Sequence, residues 1–351
     1  MSFTPFNLGS HTVTPGGAPL FLPDIGTFFN QDEGLALEMV DRLAEAGVKV
    51  IKGEVLHDPD ICLDDGTAIR YPDRQGVMRE EPYRRLIERK VVPLPTYERI
   101  FGRARDRGMG IVLSIYDLTG LRFALDLDVD GLKVATSNIV HQPLITAMAA
   151  TGRPLLIDTG DSSLEEIDRA VSWARAGGAD RLLVEHSPYP PPAGPERHDL
   201  RFMVSLGRSL GLPFGLSDHH HGEEMLYAAT ALGASLLEKG VCPDGLDGEQ
   251  DVAHALPIGQ VARVQKACAT IHTALGREFR PLDRDRPRKL SRMGLVAARD
   301  LAPGEPLSLE TVRFAFPARG IRVEQWEEAA GRCLVRGVVA GQPVGWHDLS
   351  A

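Results

Sequence analysis

The feature that most restricts the fold is an alternation that repeats along most of the chain. Short apolar runs of strand length are each followed by a longer amphipathic stretch, the pattern of βα units. The first run is APLFLPDIG (Ala18 to Gly26), and the second is VKVIKGEV (Val48 to Val55). Further runs begin at Gly110, Gly131, Pro154, Arg181, Pro213 and Ser235. Between them Leu35, Met39, Leu43 and Ala46 keep helical spacing, as do the segments SLEEIDRAVSWARAGGA and GEEMLYAATALGA. A last helix is expected from Pro257 to about Gly276. Eight such alternations predict an α/β fold of the (β/α)8 TIM-barrel type. A doubly wound sheet competes, but the Gly-rich phosphate turn expected after its first strand is missing.

Two stretches break the rhythm. A long polar segment from His57 to Pro95 separates the second and third strands, and loops of that length usually carry function or small elements of their own. After the last helix an Arg- and Pro-rich run reads as a linker. Short β-like runs with turns then continue to the end of the sequence. The expected division is a barrel over residues 1–276, a linker over 277–291 and a small β-rich domain over 292–351. Charge narrows the function. The 48 acidic and 39 basic side chains leave a net charge of −9, which argues against a nucleic-acid partner. No apolar run is long enough to span a membrane, and the opening residues lack the basic-then-apolar order of a signal peptide. The four cysteines form no CxxC pair and read as free thiols. A cytoplasmic location is the expectation from these features.

In such barrels the active site gathers at the C-terminal ends of the strands. Lys52, Ser114, Lys133, Thr136, Asn138, Asp158, Glu185, His186, Tyr189, Ser217, His219 and Glu238 all fall there. Two lysines with several hydroxyls suit an anion, unless the lysines only pair with carboxylates. The stretch GLSDHHHGEE (215 to 224) adds three consecutive histidines. If the strand continues through them, His219 and His221 share a face with Ser217, whereas Asp218 and His220 take the other. Imidazoles at a barrel mouth are plausible ligands for a divalent metal.

Several segments together resemble the N-acetylneuraminate (sialic acid) synthase family. They are AGVKVIKGE, GLKVATSNI, RPLLIDTGDSSLEEI, HSPYPPP and GLSDHHHGEEMLYAATALGASLLEKG, in that order. LVAARDLAPGEPLSLETVRFAFPARGI is similar to the family's C-terminal antifreeze-like (SAF) domain. The resemblance implies condensation of phosphoenolpyruvate with the open-chain aldehyde of an N-acyl amino sugar, giving a 2-keto sugar acid and phosphate. It puts Lys52, Ser114, Lys133, Thr136 and Ser217 at positions that hold phosphoenolpyruvate, with Asp158 where the family has a serine. It makes His219 a metal ligand, Tyr189 a sugar contact and Arg319 a substrate contact from the SAF domain. His219, Glu238 and Lys133 are the catalytic candidates. The implied cofactor is a divalent metal, Mn2+ or Mg2+, acting as a Lewis acid on the aldehyde oxygen. The implied assembly is a homodimer with the SAF domain exchanged over the partner's barrel.

Departures from the family pattern concentrate on the metal and sugar side. Its second metal-binding histidine is Gly240 here, which makes His221 the candidate replacement. Its glutamate after the fourth strand is Asn138, and a Phe-Gln pair has become Gly53 and Glu54. His186 stands where the family has Asn or Thr, and Phe316 replaces an arginine. Three readings stay open. The chain is a condensing synthase for a different acceptor, with its metal on His219 plus His221, Glu238, His254 or His186. Alternatively it is metal-independent, with His219 or His186 polarising a different carbonyl substrate. Or it is a non-catalytic sugar- or anion-binding protein.

Overall fold

A computed structural model describes residues 5–73, 75–246, 250–279 and 291–350. The chain divides into two units, residues 1–276 and 277–351. Most of the stretch expected to be a linker, 280–290, lies outside the described residues.

The first unit is a closed parallel barrel. Its strands are β3 (Leu20–Asp24), β4 (Val50–Val55), β7 (Gly110–Ile115), β8 (Gly131–Val134), β9 (Leu155–Asp158), β10 (Leu182–His186), β11 (Phe214–Asp218) and β12 (Leu236–Cys242). Each pairs in parallel with the next, and β12 returns to pair with β3 from Leu236↔Leu20 to Gly240↔Asp24. All eight begin within two residues of the apolar runs read from the sequence. Helices α1 (Glu33–Glu45), α3 (Leu94–Asp106), α4 (Leu118–Asp126), α5 (Gln142–Ala149), α6 (Leu164–Ala176), α7 (Leu200–Leu210), α8 (Glu224–Ala231) and α9 (Val261–Leu275) lie between and after the strands. Their apolar stripes and the outward faces of the strands make the main core. The start of α6 is set locally: Ser163 Oγ accepts from the Glu166 amide while the Glu166 carboxylate accepts from the Ser163 amide, a reciprocal cap.

Inside the barrel a second, smaller core explains where the site can be. Inward positions Leu22, Val50, Val112, Leu156, Leu183 and Leu236 form an apolar floor together with Phe6, Leu8 and Val13. Those last three come from a hairpin, β1 (Phe6–Leu8) paired antiparallel with β2 (His11–Val13), at the start of the described chain. A Cβ built on Gly131 would lie 2.7 Å from Leu8 Cδ2, so the hairpin reaches close to the point where β8 carries no side chain.

The long polar segment between β4 and β7 has its own structure. It holds an antiparallel hairpin, β5 (Ala68–Pro72) and β6 (Met78–Pro82), followed by the short helix α2 (Tyr83–Lys90). The second unit has its own apolar core of Leu295, Leu307, Val312, Ile321, Leu334, Val344 and neighbours. Its small antiparallel sheet is β14 (Gly294–Ala297) with β15 (Val312–Ala315), joined by isolated bridges such as Val296↔Pro343.

Candidate active site

Side chains two apart on a strand share a face, so the inward residue after each floor position can be read along every strand. Two residues beyond Leu22, Val50, Val112, Gly131, Leu156, Leu183, Gly215 and Leu236 stand Asp24, Lys52, Ser114, Lys133, Asp158, Glu185, Ser217 and Glu238. Every strand of the barrel thus passes from an apolar or glycine position to a polar one at the same step. All eight polar residues are buried. Above them opens a cavity of about 640 Å³.

The charges in this layer are paired. Lys52 Nζ lies 2.5 Å from Asp24 Oδ2, 3.4 Å from Glu54 and 3.4 Å from Glu238 Oε1. Lys133 Nζ lies 2.6 Å from Glu238 Oε1, 2.7 Å from Glu185 and 3.0 Å from Asp158. Glu238 therefore bridges the two ammonium groups, and Ser217 Oγ donates to the same oxygen at 3.2 Å. Ser114 Oγ differs: it is buried, lines the cavity and has no hydrogen-bond partner among the described residues. A buried hydroxyl left that way is costly unless a ligand takes it up.

Two lysines facing four carboxylates cannot all be charged without strain, and the titration of the layer reflects this. Burial pushes Asp24 up to about 7 despite the opposing pull of Lys52, and it pushes Glu185 up to about 8 despite Lys133. At Asp158 burial also pushes upward, but Lys133, the Thr136 hydroxyl at 2.7 Å and the Gly160 amide win, holding it at about 2. Glu238 falls below the ordinary range because Lys133 and Lys52 together outweigh its burial. Both lysines are pushed up, their carboxylate neighbours outweighing the desolvation of the ammonium.

The cavity brings together most residues expected there. Lys52, Ser114, Lys133, Thr136, Asn138, Asp158, Tyr189, Ser217, His219 and Glu238 all line it. Asn138 spends its amide on the Ile115 carbonyl at 3.1 Å, which fixes the turn after β8. Tyr189 is half exposed at the rim. His186 is not in the lining. Its Nε2 lies 2.6 Å from the His198 carbonyl and its ring stands edge-on to Phe202, both on the outer side of the barrel. Arg319 belongs to the second unit, exposed in the segment after β15.

The expected parity of His219 and His221 does not hold, because β11 stops at Asp218 and the chain turns. His221 is exposed, outside the cavity lining, with Nδ1 2.8 Å from the Ala253 carbonyl. The turn is fixed from below. Buried Lys239 donates to Asp218 at 2.8 Å and to the carbonyls of His220 and Gly222. His219 stays at the cavity, its Nδ1 3.5 Å from Ser187 Oγ. Its ring lies 4.8 Å from that of His254, which also lines the cavity.

Two contributors lie outside the residues expected at the site, and a third, His254, is expected there only as one of several possible metal ligands. Asp24 is hidden because the first apolar run extends to Gly26, although its spacing from Leu22 exposes it. His254 follows a stretch without periodicity. The polar segment after β4 gives the cavity an apolar wall, Ile61, Cys62, Tyr83 and Ile87, with Lys90 beside it. Among metal-ligating groups, Asp158, Glu185 and Glu238 lie close enough together that they could hold an ion. The Lys133 ammonium, within 3.0 Å of all three, already occupies the centre of that cluster. None of the four cysteines forms a disulfide. Among the described residues no helix is long and apolar enough to cross a membrane.

Comparison with known proteins places the chain in a wider group. Residues 39–280 match the model of the NeuB family, and residues 292–350 match that of the SAF domain. The pseudaminic acid synthase of Helicobacter pylori is 26% identical over 336 residues, covering 94% of this chain and 98% of that protein. An N,N'-diacetyllegionaminic acid synthase of Campylobacter jejuni is 22% identical, covering 90% and 96%. Among solved structures, the N-acetylneuraminic acid synthetase of Leptospira borgpetersenii superposes with a TM-score of 0.70 at 19% identity, covering 82% of this chain and 96% of that one.

Proposed function

Because the chain belongs to the NeuB family and its relatives include pseudaminic and legionaminic acid synthases, we propose that it condenses phosphoenolpyruvate with an aldehyde of the N-acyl amino-sugar type. The products are a 2-keto sugar acid and phosphate. The observation that carries the reading is the polar layer itself: Lys52 and Lys133, bridged by Glu238, at the bottom of a cavity ringed by Ser114, Thr136 and Ser217.

In this reading the two ammonium groups take the phosphate and carboxylate of phosphoenolpyruvate, exchanging part of their carboxylate pairing for the ligand. The unpartnered Ser114 hydroxyl donates to one of the same oxygens. Asp24 and Glu185 help by carrying protons near neutrality, which removes two negative charges from the path of an incoming anion. Glu238 sits between the lysines as the carboxylate best placed to accept a proton when water adds at C2 of the enol. The apolar wall of Ile61, Tyr83 and Ile87 faces the acceptor and suits an acyl substituent. The resemblance also implies a homodimer in which Arg319 contacts the substrate, an assembly that light scattering tests directly. A divalent ion held at His219 would polarise the aldehyde oxygen toward attack by C3.

The experiment is phosphate release from phosphoenolpyruvate across a panel of N-acyl amino-sugar aldehydes, with and without Mn2+. Turnover that is lost in Lys52→Ala supports the synthase. No phosphate release with any acceptor refutes it and leaves the non-catalytic binding reading.

A further inference from the structure

With glycine at position 240, the sequence leaves His221, Glu238, His254 and His186 as possible second ligands beside His219, and the structure turns His221 away from the cavity. The structure supplies a different neighbour. His254 is buried at the end of a short turn, Gln250–His254, immediately ahead of β13 (Leu256–Pro257). β13 pairs in parallel with β12 at Val241↔Leu256, and this register sets His254 over the C-terminal end of β12. Its ring faces that of His219 at 4.8 Å, inclined by 52°, and both rings line the cavity.

We infer that His219 and His254 form a two-imidazole clamp for a divalent transition-metal ion, with His254 supplying the second ligand. Three observations favour this clamp over the other donors. A Cβ at position 240 would already lie 3.2 Å from Phe28 Cζ and 3.8 Å from Ala255 Cβ, so Phe28 fills the space a ligand there would need. The one close group of three carboxylates among the described residues surrounds the Lys133 ammonium, which already occupies the place a second cation would take. Imidazole nitrogens bind such ions at about 2.1 Å, and two rings in this relation can occupy adjacent coordination positions. The remaining positions then belong to water or to a substrate oxygen, as an open catalytic site requires. The donor set also selects among ions. Two neutral imidazoles suit Fe2+, Co2+ or Zn2+ far better than Mg2+, which prefers an all-oxygen shell, with Mn2+ between them.

The clamp deepens the synthase reading, which needs a carbonyl-polarising group, but it is tested by binding rather than turnover. The full-length protein, stripped with chelator, is titrated with Mn2+ alone, Co2+ alone and Mg2+ alone, followed by calorimetry and by the electron spin resonance of free Mn2+. One ion per chain is expected for Mn2+ and Co2+. The His219→Ala and His254→Asn variants should each bind at least tenfold more weakly, while His221→Ala binds as the parent does. Pulsed spin-echo spectra of the Mn2+-loaded parent provide a check that needs no variant: nitrogen modulation from two imidazoles is expected. Modulation from one imidazole or none overturns the clamp, as do His254→Asn binding at full strength and Mg2+ competing on equal terms. Tight two-imidazole binding without phosphate release from phosphoenolpyruvate would leave the clamp standing and remove the synthase reading.

Discussion

Replacing Lys133 with methionine tests whether the polar layer is held by charge pairing. The substitution keeps most of the aliphatic stem and removes an ammonium that lies 2.6–3.0 Å from Glu238, Glu185 and Asp158. Glu185, pushed up to about 8, already carries a proton at neutral pH, and Glu238 retains Lys52 at 3.4 Å. Asp158 is the group left exposed to the loss. It is buried and must take up a proton to remain in place. Protonating an aspartate of ordinary pKa 3.9 at pH 7 costs about 4 kcal/mol, at about 1.4 kcal/mol per unit. At pH 5 the same step costs only about 1.5 kcal/mol. This agrees with the 3–5 kcal/mol typical of breaking a buried ion pair. The sign of the pH dependence therefore inverts. In the parent, Asp158 lies below its unfolded value, so its contribution is present above about pH 4 and is lost as pH falls toward 2. In Lys133→Met the folded state binds the extra proton, and stability falls as pH rises. Thermal unfolding followed by circular dichroism should show the variant's midpoint lower by roughly 10 °C at pH 7 and by much less at pH 5. Adding Asp158→Asn should recover most of the loss at pH 7. Equal losses at the two pH values, or no recovery in the double variant, would refute the charge-pairing account.

Phosphoenolpyruvate should bind more tightly as pH is lowered from 8.5 to 6.5, by roughly tenfold, because Glu185 and then Asp24 become neutral as pH falls through about 8 and about 7. Calorimetry across that range that gives a flat or opposite trend would contradict it. Ser114→Ala should leave unfolding within about 1 kcal/mol of the parent, since its hydroxyl has no partner to lose. The same variant should raise the KM for phosphoenolpyruvate by about an order of magnitude, and an unchanged KM would place the ligand elsewhere. Gly53→Ala should destabilise the barrel by about 1–3 kcal/mol through overpacking, because a Cβ there would lie 2.5 Å from Phe101 Cζ. Chemical denaturation should show the loss largely reversed when Phe101→Leu is added.

The barrel was legible because every one of its strands is a short apolar run between turn signals, and these runs appear in the structure with only their ends adjusted. The site was legible for the same reason, since strand ends could be found and polar residues read off them. Reading failed where periodicity stopped. The parity of His219 and His221 assumed a strand that ends at Asp218, where Lys239 instead ties the carbonyls of the following turn. His254 reaches the cavity through a two-residue strand pairing that no local pattern announces. The replacement of a family phenylalanine by Gly53 made sense only once the Phe101 ring was seen to occupy that volume. The short strands at the start of the chain were likewise invisible, since three residues on either side of a turn leave no period to detect.

Those short strands have a kinetic consequence. With Phe6, Leu8 and Val13 sealed against the floor residues, the barrel is a cul-de-sac. Reactants and products share one doorway, and whatever binds the lysine layer must arrive before anything that sits above it. For two substrates the steady-state pattern is then ordered addition, with the upper substrate unable to bind productively first. At high concentration the upper substrate should inhibit by trapping the lower product behind it. Random order of addition has no route through a floor closed in this way.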